Sequence, residues 1–188
     1  MFMKKTGAIL LAILLIVLCF CGCSSQEEIN KNADEVINQY NKEQITYAEA
    51  YSDLVKYSSK SKDASYIEQQ MSVLAALMES KENYIQAKKA FDSGNYEAAV
   101  IRYGKVSGND DNYNAAKKEL SIAQENYIKS VDEDAEQYMN ENKYSEAIKV
   151  YENSKKVYND GKTDNKISDI EEKYKKKQLR DLKMQYFH

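Results

Sequence analysis

The chain contains no proline. Its six glycines include Gly7 and Gly22 in the first 23 residues, so only Gly94, Gly104, Gly108 and Gly161 remain to interrupt everything that follows. Inside a helix proline costs about 3 kcal/mol and glycine about 1 kcal/mol relative to alanine. A sequence so poor in both can run as long helices. Its frequent residues (Lys, Glu, Gln, Ala, Leu and Met) are good helix formers. The 16 tyrosines are not, so they need a packing or binding reason.

Apolar spacing after Ser25 is helical throughout, with no alternation of period two. The spacing predicts helices over 26–41, 44–59, 64–93, 96–106, 111–141, 143–158 and 164 to near the end. The first stripe is Ile29, Ala33, Val36, Ile37 and Tyr40; the second is Tyr47, Ala50 or Tyr51, and Leu54. The third is Ile67, Met71, Leu74, Leu77 or Met78, Tyr84 or Ile85, and Phe91. At 1.5 Å per residue that helix reaches about 45 Å. Gly94 is free to take the left-handed cap conformation that stops it. Asp110 or Asp111 can cap the fifth helix, whose stripe is Tyr113, Ala116, Leu120, Ala123, Tyr127, Val131 and Tyr138. Short connections make neighbours antiparallel. The expected fold is all-α, built of antiparallel helical hairpins stacked as a short solenoid or an elongated bundle.

Two stretches repeat. AlaPheAspSerGlyAsnTyrGluAlaAlaValIleArgTyr from Ala90 aligns with TyrMetAsnGluAsnLysTyrSerGluAlaIleLysValTyr from Tyr138. Tyr96 pairs with Tyr144, Ala99 with Ala147 and Tyr103 with Tyr151, an offset of 48 residues. Residues 44–57 hold a weaker copy around Tyr47, Ala50 and Leu54. This pattern resembles the turn and second helix of a tetratricopeptide repeat. The tyrosine packs back on the preceding helix, the alanine lets two backbones approach, and the next aromatic fills the seam. The repeat here is longer than the family's ~34 residues and lacks its late proline. The resemblance implies stacked hairpins that offer an elongated surface to a peptide or protein. On that surface Asn95, Tyr96, Arg102 and Tyr103 are the candidate partner-binding residues. The tyrosine stripes are expected mainly as core or seam, with a concave groove as the alternative.

Residues 1–23 read MFMKKTGAILLAILLIVLCFCGC. Lys4 and Lys5 precede the apolar run Ala8–Phe20, whose 13 residues match a signal-peptide h-region. That is short of the ~20 residues a permanent membrane helix needs. Gly22-Cys23 followed by Ser24 and Ser25 resembles a bacterial lipobox, although Phe20 and Cys21 stand where Leu and Ala or Ser are usual. The resemblance implies cleavage after residue 22, a fatty-acylated Cys23 as lipid anchor, and an extracytoplasmic protein on the cell membrane. An uncleaved anchor is the alternative. The resulting division is a signal peptide over 1–22, a lipidated cysteine and tether over 23–28, and an all-helical repeat-like domain over 29–188.

All three cysteines, Cys19, Cys21 and Cys23, lie at that junction, so a disulfide framework and a thiolate metal site are excluded beyond it. The one histidine is the last residue, His188, where a general base would lack fixed geometry. Glycine-rich phosphate loops are missing. Asp132, Glu133 and Asp134 diverge around a helix and do not converge on one point. Asp160, Asp164, Ile167, Ser168 and Glu171 fall on calcium-loop positions, but Lys162 stands where a ligand belongs and Asn165 replaces the turn glycine. A turn followed by a helix cap is the expected reading, and no cofactor is implied. Without a nucleophile–base set, independent catalysis is not expected.

Formal charge is −3; Lys4 and Lys5 contribute +2 of that, leaving −5 after the leader. An acidic domain repels phosphate, so nucleic acid is not an expected partner. The basic run Lys173, Lys175, Lys176, Lys177, Arg180 and Lys183 is expected as a solvated helix face, with contact to phosphate or anionic lipid as the alternative. The expected partners are the membrane, through the lipid anchor, and another envelope protein or peptide. A glycan- or peptidoglycan-binding module and an accessory subunit of a transport system are the rival roles.

Overall fold

A computed structural model describes residues 25–186. The leader, Cys23 and His188 lie outside the described residues. Within them the chain is all-helical. Seven helices follow one another: α1 Gln26–Asn41, α2 Tyr47–Lys60, α3 Ser65–Asp92, α4 Tyr96–Tyr103, α5 Tyr113–Asn140, α6 Tyr144–Ser154 and α7 Thr163–Tyr186. No strand occurs among the described residues. Contacts group the chain into two compact units, one ending at Ala76 and the other beginning at Leu77, so the boundary falls inside α3.

In the first unit α1 and α2 pack as a hairpin. Ser25 opens α1 by accepting the Glu28 N–H at 3.1 Å. Thr46 and Glu49 open α2 with a reciprocal capping box, which satisfies two backbone donors at once. The buried side chains are Ile29, Ala33, Val36 and Tyr40 of α1, Ala50 and Leu54 of α2, and Ile67 and Leu74 of α3. Ala50, not Tyr51, faces inward, and Ile37 is half-buried. Tyr66 donates its hydroxyl to Asp34 at 2.6 Å, tying the start of α3 to α1.

In the second unit α5 packs against both α4 and α6, and α6 packs against α7. Its core runs through Ala87, Ala99, Val100, Tyr103, Ala116, Ala123, Tyr127, Val131, Ala135, Ala147, Tyr151 and Ile170. Leu77 is buried and Met78 exposed, while Ile85 points into solvent. Tyr113 and Tyr138, expected on the α5 stripe, are exposed near the two ends of that helix, and Ala135 is buried instead. Helices α4 and α6 end three and four residues earlier than their apolar pattern. Gly104 and Lys155 close them with backbone bonds to Val100 and Tyr151.

One turn closes three helices. After α1, α3 and α5, the residues Glu43, Gly94 and Asn142 sit at φ of 59°, 76° and 61°. Each donates its N–H three residues back, to Tyr40, Phe91 and Met139 at 2.9, 3.0 and 2.9 Å. The next residues, Gln44, Asn95 and Lys143, donate five back, to Gln39, Ala90 and Tyr138. This paired 5→2 and 6→1 arrangement is the Schellman motif. Gly94 and Asn142 are 48 residues apart, the offset of the sequence repeat. The helix after each turn buries an alanine completely, namely Ala50, Ala99 and Ala147, four residues before Leu54, Tyr103 and Tyr151. The recurring Tyr-x-x-Ala pattern is thus a hairpin closed by one cap and sealed by one close helix approach.

Gly94 tests the cap in isolation. A Cβ there would meet nothing within 4 Å, so only the left-handed backbone opposes a side chain. Gly94→Ala is expected to lower stability by about 1–2 kcal/mol in urea denaturation. An unchanged midpoint would mean that the turn does not hold its left-handed form.

Candidate functional site

The four candidate residues fall around α4, and each has a local structural task. Asn95 is the N-cap of α4: its side chain accepts the Ala98 N–H at 3.1 Å. Tyr96 is half-buried and meets Phe91 of α3 edge-on, with ring centroids 5.5 Å apart. This is the backward packing expected of the tyrosine after the turn. Arg102 is exposed and donates to the Asn83 side-chain oxygen at 3.0 Å. Asn83 is itself buried and donates to the Glu79 carbonyl at 2.9 Å, so Arg102 fastens α4 to α3. Tyr103 is buried, and its ring lies 6.1 Å from that of Tyr84.

Asn95 and Tyr96 share a cleft with Glu97, Tyr127, Asp134 and Asn153, at the junction of α4, α5 and α6, with a volume of about 360 Å³. Arg102 and Tyr103 do not line it. Two carboxylates and two amides give it hydrogen-bonding capacity and a preference for cationic groups. A second, larger depression of about 590 Å³ lies on α3, lined by Tyr84, Ile85, Lys88, Lys89, Asp92 and Ser93. Its floor is apolar: Ile85 is 58% exposed. Lys88 holds its ammonium 5.6 Å from the Tyr84 ring centre. Sequence reading missed this face. Periodicity allows either Tyr84 or Ile85 on the α3 stripe, and the structure half-buries Tyr84 and leaves Ile85 in solvent.

Below that depression Glu119 of α5 gathers three groups. Its Oε1 accepts the Tyr84 hydroxyl at a long 3.5 Å and lies 4.0 Å from the Lys88 ammonium. The Tyr103 phenol faces the same carboxylate. Tyr151, the repeat partner of Tyr103, donates to Asp132 of α5 at 2.8 Å. Lys166 of α7 completes that pair, donating to both Asp132 oxygens at 2.6 and 2.8 Å. Burial, and then the carboxylate each one faces, raise the Tyr103 and Tyr151 phenols well above their ordinary 10.0. Tyr127 is raised by burial.

A raised phenol pKa has a definite consequence for pH. The neutral phenols stabilise the fold fully below the unfolded value of 10.0. That stability is lost as pH climbs toward the higher folded-state values. Alkaline unfolding above about pH 10 should therefore coincide with tyrosinate absorbance. Tyr103→Phe with Tyr151→Phe should flatten the decline. An identical alkaline profile for the double variant would contradict this assignment.

The calcium-loop residues do not form a site. Burial opposes ionisation of Asp160. Hydrogen bonds from Lys162 and Thr163 outweigh it and hold the carboxyl below its ordinary value, so Asp160 caps the start of α7. Asp164 instead pairs with Lys155. Among the described residues no group of three or more His, Cys, Asp or Glu is placed to hold a metal ion. No described helix is long and apolar enough to cross a membrane.

No protein-family model matches the chain, and no curated protein or solved structure resembles it significantly.

Proposed function

We propose that the chain is a membrane-anchored extracytoplasmic lipoprotein whose tetratricopeptide-like hairpins act as a scaffold for another envelope protein or a peptide. The observation that carries the scaffold reading is the recurrence of one cap and one alanine seam in three hairpins. Repeated hairpins bury their inner faces against one another and leave an extended surface for a partner. The α3 depression suits such a partner, since it joins exposed apolar area to cations and a carboxylate at its rim. The anchoring reading rests on the positive n-region, the short apolar run and Gly22-Cys23.

Tyr40, Tyr103, Tyr127 and Tyr151 are buried, and the exposed Tyr51, Tyr113, Tyr138, Tyr174 and Tyr186 line neither the cleft nor the α3 depression, which favours a protein partner over a glycan that needs clustered open aromatic faces. To test the proposal, a photo-activatable residue replaces Ile85, Lys88 or Glu97 in the full chain, and whole cells are irradiated. A discrete cross-linked protein from the α3 positions or from the cleft supports the scaffold. No protein adduct from any position, together with retention on purified cell wall, would replace it with the glycan-binding module.

A further inference from the structure

Helix α7 outruns the unit it belongs to. Near its start Thr163 and Ile170 are buried and Ile167 is half-buried. Tyr174 then stacks on Tyr144 at 5.4 Å, and the Lys177 ammonium lies 5.6 Å from the same ring. From residue 178 to 186 every side chain is exposed.

That projecting end is amphipathic. Leu179, Leu182 and Tyr186 are 51%, 48% and 82% exposed. Spacings of three and four put them on one stripe. At about 100° per residue, the stripe lies roughly two-fifths of a turn away from the Ile170–Tyr174–Lys177 side. Packing against the body therefore does not account for it. Lys176, Arg180 and Lys183 form a parallel row along one shoulder, and Lys175 heads the stripe itself. Over 171–186 six cations face three carboxylates, Glu171, Glu172 and Asp181. The segment is thus +3 in a chain of −3, leaving −6 elsewhere.

We infer that residues 175–186 lie on an anionic lipid surface. Leu179, Leu182 and Tyr186 enter the headgroup boundary while Lys176, Arg180 and Lys183 meet lipid phosphates. An apolar stripe with a cationic shoulder is the make-up of a helix that lies in a bilayer interface. Anionic headgroups supply the complementary charge, and the acidic remainder of the chain is repelled from them. A second copy of α7 fits the stripe less well, because pairing would bring two cationic rows together. The inference rests on the anchoring reading only for what brings the chain to a bilayer.

The test follows amide hydrogen exchange along α7 in the full chain, reconstituted in phosphatidylcholine vesicles with or without phosphatidylglycerol. Exchange over 178–186 should slow about tenfold with the anionic lipid, and high salt should reverse it. The triple variant Lys176→Gln, Arg180→Gln, Lys183→Gln should lose the effect, as should Leu179→Ser with Leu182→Ser. These positions are exposed, so exchange around Ala147 and Ile170 reports in the same run that the core is intact. Equal exchange on both vesicles would overturn the inference. So would protection that appears only as protein density rises, which indicates a second copy, or only when membrane proteins are added, which indicates an acidic partner. Intact mass of the same sample reports on Cys23. An unacylated chain that still shows lipid-dependent protection would remove the anchoring reading and keep this one.

Discussion

Asp110→Ala is expected to destabilise the unit beginning at Leu77 by about 3–5 kcal/mol, the usual cost of breaking a buried ion pair from one side. Asp110 has a fully buried side chain 3.6 Å from the Lys81 ammonium, whose side chain is 11% exposed. It also accepts the Ser80 hydroxyl at 2.7 Å. The backbone and side-chain amides of Asn112 donate to it at 2.9 and 3.0 Å. Ser80 in turn accepts the Ser107 N–H at 2.9 Å. One carboxylate therefore fastens the loop over 104–112 to α3 and sets the start of α5. Truncation removes this counter-ion from Lys81 and strands the donors in a buried site. Asp110→Asn should cost less, about 1–2 kcal/mol, since an amide oxygen still accepts from Asn112. Urea denaturation measures both; equal and small losses would mean that water reaches Asp110 and the network is not buried.

Leu54→Ala should cost about 2–5 kcal/mol in the other unit. Leu54 is wholly buried, beside the equally buried Ala50 on α2. The loss combines the transfer of three heavy atoms with the cavity they leave, and the spread reflects how far neighbours collapse. In hydrogen exchange the effect should centre on α1 and α2, the hairpin whose seam is opened. A loss under about 0.5 kcal/mol, the scale of a surface substitution, would show that α2 does not pack through this face.

Helix positions were legible because the physics that sets them is local. Without proline and with few glycines the helices run long between short polar breaks, and the 3.6 period did the rest. The observed α1 coincides with its expected span, and α3 and α5 differ by one or two residues at each end. What stayed hidden depends on neighbours. Asp110 or Asp111 is the cap the sequence suggests for α5, but the N-cap is Asn112. Whether the Asp110 carboxylate meets water or α3 is decided by Ser80 and Lys81, about thirty residues away in sequence. The division inside α3 was equally hidden, since Ile67, Met71, Leu74 and Leu77 form one unbroken apolar stripe.

Among the candidate site residues, periodicity could locate Tyr96 and Tyr103 on one helix but could not rank their exposure. The structure puts Tyr103 inside and leaves Tyr96 at the edge of a cleft. Asn95 and Arg102 show polarity alone to be a weak guide, because one caps α4 and the other reaches Asn83. At the end of α7 the charge pattern alone allows a solvated basic face or a contact with phosphate or anionic lipid. The apolar stripe there emerges only when the body-facing side of the same helix is known.

Accurate mass of the N-terminal peptide, released from protein extracted out of the native membrane, tests the central claim most directly. The account predicts a chain that begins at Cys23 and carries fatty acyl groups, with Cys23→Ala abolishing their incorporation. A chain that retains residues 1–22 with Cys23 unmodified would contradict it.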